Sequence, residues 1–319
     1  MTTETNRLGL ADLGMMYVVL IWGFHFIVLK EGLNYFEPVT YNALRFALAL
    51  PFLALVAWAR HMHMRMSNAD ARHLLLLVAS GPLVWQFVFP VGLGLTTATN
   101  AALIVATLPA WVAVESMLMG RVIARRALMA GVGVTLLGVS LVVLSSGGVL
   151  RLNANDALGG GILLLGIIFL AQFTIRIKPL LRDYGSAPIA IWTHLIVTAG
   201  LLLGAAPDLL TLNAGDFSAA AIWPLVYSGF LAAALGRFMY NFALDKIGAT
   251  RAAVYQNFNP LITAVFAALL LGEALTPGLG LGAFFTLLGV GMVRQFTHER
   301  TAQATPTGAV MLPRGAGTD

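Results

Sequence analysis

Ten apolar runs, each close to the length that crosses a bilayer, constrain this chain more than any motif in it. They fall at roughly 10 to 29, 38 to 59, 74 to 95, 98 to 119, 127 to 146, 157 to 176, 187 to 206, 219 to 242, 250 to 271 and 277 to 296. A span needs about 20 mostly apolar residues at 1.5 Å rise each. In hydrocarbon the backbone must satisfy its own hydrogen bonds, so each run is expected to be a helix. Apolar residues make up 59% of the chain and charged residues 10%, against roughly half and a quarter in soluble domains. The expected class is an all-α integral membrane protein with ten transmembrane helices. The separations at 95 to 98 and 242 to 250 are nearly uncharged, but their Gly and Thr residues and Ala-rich restarts predict a break in each.

The first run follows Arg7, as a signal peptide would. It is longer than a typical signal core and is followed by Lys30-Glu31 instead of a small-residue cleavage site, so it reads as a retained helix. The tail from 297 onward, rich in Thr, Gly, Pro and Ala, reads as a disordered extension.

Cysteine is absent, which excludes a disulfide scaffold and thiol-based metal or redox chemistry. The net charge of +5 invites a nucleic-acid reading. The basic residues nonetheless lie in short clusters between apolar runs, and orientation in a membrane accounts for them better. With ten spans and the N-terminus in the cytoplasm, the outer connections keep only Lys30 and Arg151, while Arg45 and Arg237 lie within spans. Every other Lys and Arg falls on the inner side, which predicts both termini there.

A repeat runs through the chain. TNAALIVATLP at 99 to 109 and TRAAVYQNFNP at 250 to 260 share a frame at an offset of 151, and TLLGV at 135 to 139 recurs at 286 to 290. Gly131 and Gly282 match at the same offset. Five helices per half is an odd number, so the second copy is expected to be inverted. The turn GRVIARR after the fourth helix is basic, whereas its counterpart GEALTP after the ninth is acidic. Inverted repeats are a recurring transporter architecture, with substrate held near the midplane beside interrupted helices. Pro109 and Pro260 would loosen the helical ladder there, and nearby amides would satisfy freed groups or face a cavity.

WGFHF at 22 to 26, LRF at 44 to 46, the proline-centred fourth and ninth helices, LLLGE at 269 to 273 and TLLGV at 286 to 290 resemble the EamA branch of the drug/metabolite transporter superfamily. Within that branch the similarity is to aromatic amino-acid exporters. The resemblance covers nearly all of residues 10 to 296. It implies ten helices in two inverted five-helix halves around a central cavity, and export of small metabolites, in bacteria often amino acids. One departure is Gly120-Arg121, near where many members place a Gly-Glu pair. The implied organisation is a cytoplasmic N-terminus (1 to 9), a first EamA repeat (10 to 146), a periplasmic connection (147 to 156), a second repeat (157 to 296) and a cytoplasmic tail (297 to 319). The implied location is the bacterial inner membrane, and the chain is expected to act as a monomer among lipids, without cofactor or nucleic acid.

Polar groups at membrane depth nominate the site, because each is expensive in hydrocarbon and usually faces the bundle interior or water. Arg45, seven residues past Pro38, lies about 10 Å below its helix start. It reads either as a substrate-carboxylate site or as a snorkelling or bundle-pairing Arg. His25 reads as a titrating group or a hydrogen-bonded packing residue. Gln86, Gln172, Trp192 and His194 are further cavity candidates, as is Trp22 of the first-helix motif. Trp111, Tyr255 and Asn259 join them as polar or aromatic groups inside spans. Glu115 and Arg237 fall near the inner face, as a paired gate or as plain interfacial charges.

No carboxylate sits at the centre of any span, which favours facilitated export over tight proton coupling, with His25 the one alternative route for a proton. Aromatics concentrated inside spans suit a cavity for small amphiphiles such as hydrophobic amino acids. The loop HMHMRM at 61 to 66 alternates imidazole and thioether groups of a kind that suits copper(I), but in a basic connection these side chains also fit the headgroup layer, and no metal is expected. No catalytic carboxylate pair, nucleophile and base arrangement or phosphate loop appears, so an enzyme is not expected. A proton-coupled exporter of other cargo and a non-transporting receptor or scaffold are the competing readings.

Overall fold

The fold was described from a computed structural model, over residues 9–120, 125–144, 153–256 and 258–303. Among these residues all the regular structure is helical. The helices are α1 (Leu10–Gly32), α2 (Pro38–Ala59), α3 (Asn68–Val78), α4 (Val84–Leu95), α5 (Ala98–Val105), α6 (Leu108–Leu118) and α7 (Arg125–Leu144). They continue as α8 (Ala154–Arg176), α9 (Lys178–Tyr184), α10 (Ser186–Leu209), α11 (Ala219–Val226), α12 (Gly236–Gln256), α13 (Asn259–Leu271) and α14 (Pro277–Gln303). Single π-helical stretches join α3 to α4 (Ala79–Leu83) and α11 to α12 (Tyr227–Leu235).

Among the described residues seven helical segments are long and apolar enough to cross a membrane: Leu10–Gly32, Pro38–Ala59, Asn68–Leu95, Ala98–Leu118, Ala154–Arg176, Ser186–Leu209 and Ala219–Tyr240. Three shorter apolar helices, Met129–Val142, Asn259–Leu271 and Pro277–Val293, accompany them. Large apolar side chains such as Leu118, Leu203 and Leu269 are exposed on the outside of the bundle. In water such a surface would aggregate; against lipid it costs nothing.

Both repeated phrases break at their prolines. α6 and α13 each begin with proline in the first turn, where its missing N–H is harmless. The residues before them, Thr107 and Phe258, take nearly the same dihedrals, φ −77°, ψ −9° and φ −79°, ψ −15°. Each N–H bonds back three residues, to Ile104 and Tyr255, at 3.0 Å.

The other expected break is absent. α12 runs through 242 to 250 without interruption, and the interruption lies beside Pro260. Gly248 and Thr250 read as turn signals, yet in a helix Gly costs only about 1 kcal/mol, whereas Pro removes a hydrogen bond outright. Past its span α12 closes around the start of α1: Met15 packs on Ala243 and Ala252, and Tyr255 donates to Asp12 Oδ1 at 2.9 Å. At the far end α14 continues to Gln303, beyond the expected helix limit of 296. The expectations for residues 1–8, Arg121, Arg151, Asn257 and the tail from 304 lie outside the described residues.

α7 and α14 pack antiparallel, in close contact from Gly131 to Val142 on one and from Gly282 to Val293 on the other. Gly131 faces Val293 and Gly282 faces Val142, where an added Cβ would lie 2.9 and 2.6 Å away. Between them Gly138 abuts Thr286, and Gly289 abuts Thr135, with no room for any side chain. Small residues are what let two helices approach this closely.

Candidate functional site

α2 turns one polar face inward. Tyr41, Asn42, Arg45 and Phe46, at helical spacing, are all buried, and Arg45 is only 4% exposed. Tyr41 Oη meets Pro224 O at 2.9 Å and Ser228 Oγ at 2.6 Å, which fixes the helix against α11 and the π segment after it. Arg45 Nε donates to Asn42 Oδ1, and its Nη2 donates to Gln86 Oε1 at 3.1 Å. Asn42 Nδ2 in turn donates to both oxygens of Gln86, backbone and side chain. The π turn at Ala79–Leu83 adds a residue to the helix just before Gln86 and so re-aims its face, as such turns often do at functional positions.

The guanidinium lies 4.8 Å from the centre of the Phe46 ring. On that ring stacks His194, 4.6 Å away and 15° from parallel, with His194 Nε2 2.9 Å from Phe46 O. His25 of α1 is within electrostatic reach of Arg45, and its Nε2 is buried with no hydrogen-bond partner among the described residues. Three predicted residues, Arg45, Gln86 and His194, therefore converge from α2, α4 and α10. Arg45 is held by neutral amide oxygens alone; among the described residues no Asp or Glu pairs with it. A buried cation without a counter-charge is costly, and the arrangement favours any anionic group that can reach it. Asn42, which completes the network, was not nominated from sequence, although a polar residue three before Arg45 on the same face was the signal.

Other nominated residues take different places. Trp22 donates to Ala232 O at 3.0 Å and tilts against Tyr240. Asn259 sits where α13 crosses α1 at Gly23, its Oδ1 buried with no hydrogen-bond partner among the described residues. Trp111 packs against the main core, and Gln172 is half-buried on α8. Trp192 leaves the constellation and donates to Met64 O at 3.1 Å, tying α10 to the HMHMRM loop. Tyr255 is at the α1 start, as described. Glu115 and Arg237 do not pair: Glu115 is within electrostatic reach of Arg176, and Arg237 lies over Trp22, 5.2 Å from the ring centre. Depth along a helix, which sequence gives, does not fix which way round the helix a side chain points.

At the Lys30 end of the bundle lies a polar cluster that sequence reasoning did not assemble. Glu273 accepts from Ala98 N at 2.7 Å, Thr99 N at 3.2 Å and Thr99 Oγ1 at 2.8 Å. The carboxylate thus caps α5, where a helix carries partial positive charge. Lys30 Nζ is 3.9 Å from Glu273 and donates to Thr96 O at 2.7 Å, while Thr96 Oγ1 donates to Asp156 Oδ1 at 2.8 Å. α1, α5, α8 and the segment after α13 are tied together there. The signals were Lys30, one of two basic residues on a sparsely charged side, and the Glu of LLLGE.

An all-helical bundle with several apolar spans is that of a polytopic membrane protein. The chain belongs to the EamA-like transporter family, whose profile matches residues 9–144 and again 151–295. An "Uncharacterized transporter" of Archaeoglobus fulgidus is 30% identical over 88% of this chain and 96% of its own length. A "Probable amino-acid metabolite efflux pump" of Salmonella typhimurium is 26% identical over 91% of this chain and 97% of its own. A solved crystal structure, 15% identical, superposes with a TM-score of 0.62 over 91% of this chain and 98% of that one, a likeness of fold.

Proposed function

We propose that this chain exports small amphiphilic metabolites across the bacterial inner membrane, amino acids including aromatic and hydrophobic ones, by alternating access through its centre. The observation that carries the reading is Arg45: a buried cation beside Phe46 and His194, held by amides and with no carboxylate partner among the described residues. A cargo carboxylate supplies the missing charge, and the aromatic surroundings suit an apolar body. A relative named for amino-acid metabolite efflux agrees in cargo class.

The architecture proposed is ten helices in two inverted repeats, residues 10 to 146 and 157 to 296, with both termini cytoplasmic and the protein acting as a monomer. Three features support it: the matched breaks before Pro109 and Pro260, the π segments at corresponding places in the two halves, and the α7–α14 seam, whose contacts exchange under the 151-residue offset. In this orientation the Lys30–Glu273 cluster closes the outer side. Transport is facilitated, driven by the cargo gradient.

Proteoliposome flux of a panel of amino acids, with and without an imposed pH gradient, tests the proposal. Flux of large apolar amino acids that is indifferent to the pH gradient is expected. Strict proton dependence would replace facilitated export with proton coupling, and binding without any flux would favour a receptor.

A further inference from the structure

At the other end of the bundle, between α2, α10 and α12, lies a cleft of about 110 Å³. Phe52, Val56, Arg60, Arg237, Phe238 and Phe242 line it, with Ser186 at the start of α10 beside them. The Arg60 guanidinium sits 5.0 Å from the centre of the Phe238 ring, and that of Arg237 sits 5.2 Å from Trp22. Arg237 is exposed and lies on the cleft wall, although it belongs to a segment apolar enough to span the membrane. Neither arginine pairs with a carboxylate among the described residues, whose ion pairs are Lys30–Glu273 and Arg182–Asp183. A charge kept at such a place without a partner usually marks a solute path.

Stacking on a ring occupies a face of the guanidinium and leaves its in-plane N–H donors free, in the fork that fits a carboxylate. The phenylalanines around it present apolar surface to whatever the carboxylate is attached to. α10 runs from the cleft, which its Ser186 and Ile191 line, to His194, which stacks on the Phe46 ring beneath Arg45. We infer that this cleft is a loading site for the carboxylate of the cargo, from which the cargo passes His194 to Arg45. The cargo class is then a monocarboxylate with an apolar body, and an amine lacking the carboxylate is not carried. This rests on the transport reading above.

The test uses three probes of one shape: phenylalanine, 3-phenylpropionate and phenethylamine. Flux of each into proteoliposomes, loaded from the Arg60 side, is measured for the wild type, Arg237→Gln, Arg237→Lys and Arg60→Gln, with binding of 3-phenylpropionate measured in detergent by calorimetry. The wild type is expected to carry the two carboxylates and not phenethylamine. Arg237→Gln is expected to raise half-saturation for both carboxylates by about tenfold or more, the size of a lost charge-assisted hydrogen bond, with the saturating rate nearly kept. Arg237→Lys recovers part of that loss, which a folding defect would not show. An unchanged half-saturation in Arg237→Gln, or phenethylamine carried as well as the carboxylates, overturns the inference while leaving transport standing. If the wild type carries none of the three, the binding arm decides: 3-phenylpropionate binding that weakens about tenfold in Arg237→Gln sustains the cleft without the transport reading. No binding removes both.

Discussion

Arg45 is held by two neutral amide oxygens, which bond its Nε and Nη2 and leave its charge unmatched. Removing it therefore separates two contributions that usually fall together. Arg45→Met deletes a costly buried cation while filling similar space, so thermal stability in detergent is expected to stay within about 1–2 kcal/mol of the parent. Binding of a carboxylate amphiphile is expected to fall at least about tenfold in the same variant. A large loss of stability with binding intact would make Arg45 a packing residue. Gly32 tests the face beside it: a Cβ there would overlap the Tyr41 ring, so Gly32→Ala is expected to cost about 1–3 kcal/mol, read as a lowered melting temperature. Arg45, Gln86 and His194 were legible as polar letters in apolar runs, because hydrocarbon penalises each. Their convergence was not, because a helical run fixes depth and leaves rotation about the axis to packing. The same gap explains why Glu115 and Arg237, at similar depth, end with different neighbours.

Helix ends carry the next layer of meaning. The breaks before Pro109 and Pro260 could be read in advance, since proline cannot continue the hydrogen-bond ladder. The unbroken passage of α12 through Gly248 could not, because a glycine's small helical cost is easily outweighed by contacts far away in sequence, here those to Met15. At α5 the decisive partner is also remote: Glu273 serves as its cap from more than 170 positions away. Glu273→Ala is expected to leave two α5 N–H groups unsatisfied, at about 1–2 kcal/mol, and to loosen the Lys30 end. Because the chain has no cysteine, a single cysteine at Leu33 reports that loosening directly: its labelling rate by a membrane-impermeant maleimide is expected to rise several-fold with Glu273→Ala. An unchanged rate would reduce the cluster to local capping.

For the molecule as a unit, the mirrored contacts of α7 and α14 make a prediction about symmetry. Gly138→Ala and Gly289→Ala push a methyl group into corresponding places on opposite helices, so both are expected to destabilise by more than about 2 kcal/mol, and by similar amounts. Unequal losses in thermal unfolding would mean that the two halves are less alike than their contacts imply. Reporter fusions at the two chain ends are expected to give the same sidedness, as the Lys and Arg distribution requires.

The seam between these helices also limits how the molecule can move. Thr135 and Thr286 are wedged against glycine backbone on the facing helix, so neither helix can slide or roll past the other without collision. If the proposed alternating access holds, its swing must leave this joint fixed, as a door leaves its hinge pin. Stapling α7 to α14 should then cost the protein none of its activity, whereas stapling Lys30 to Glu273 should lock it.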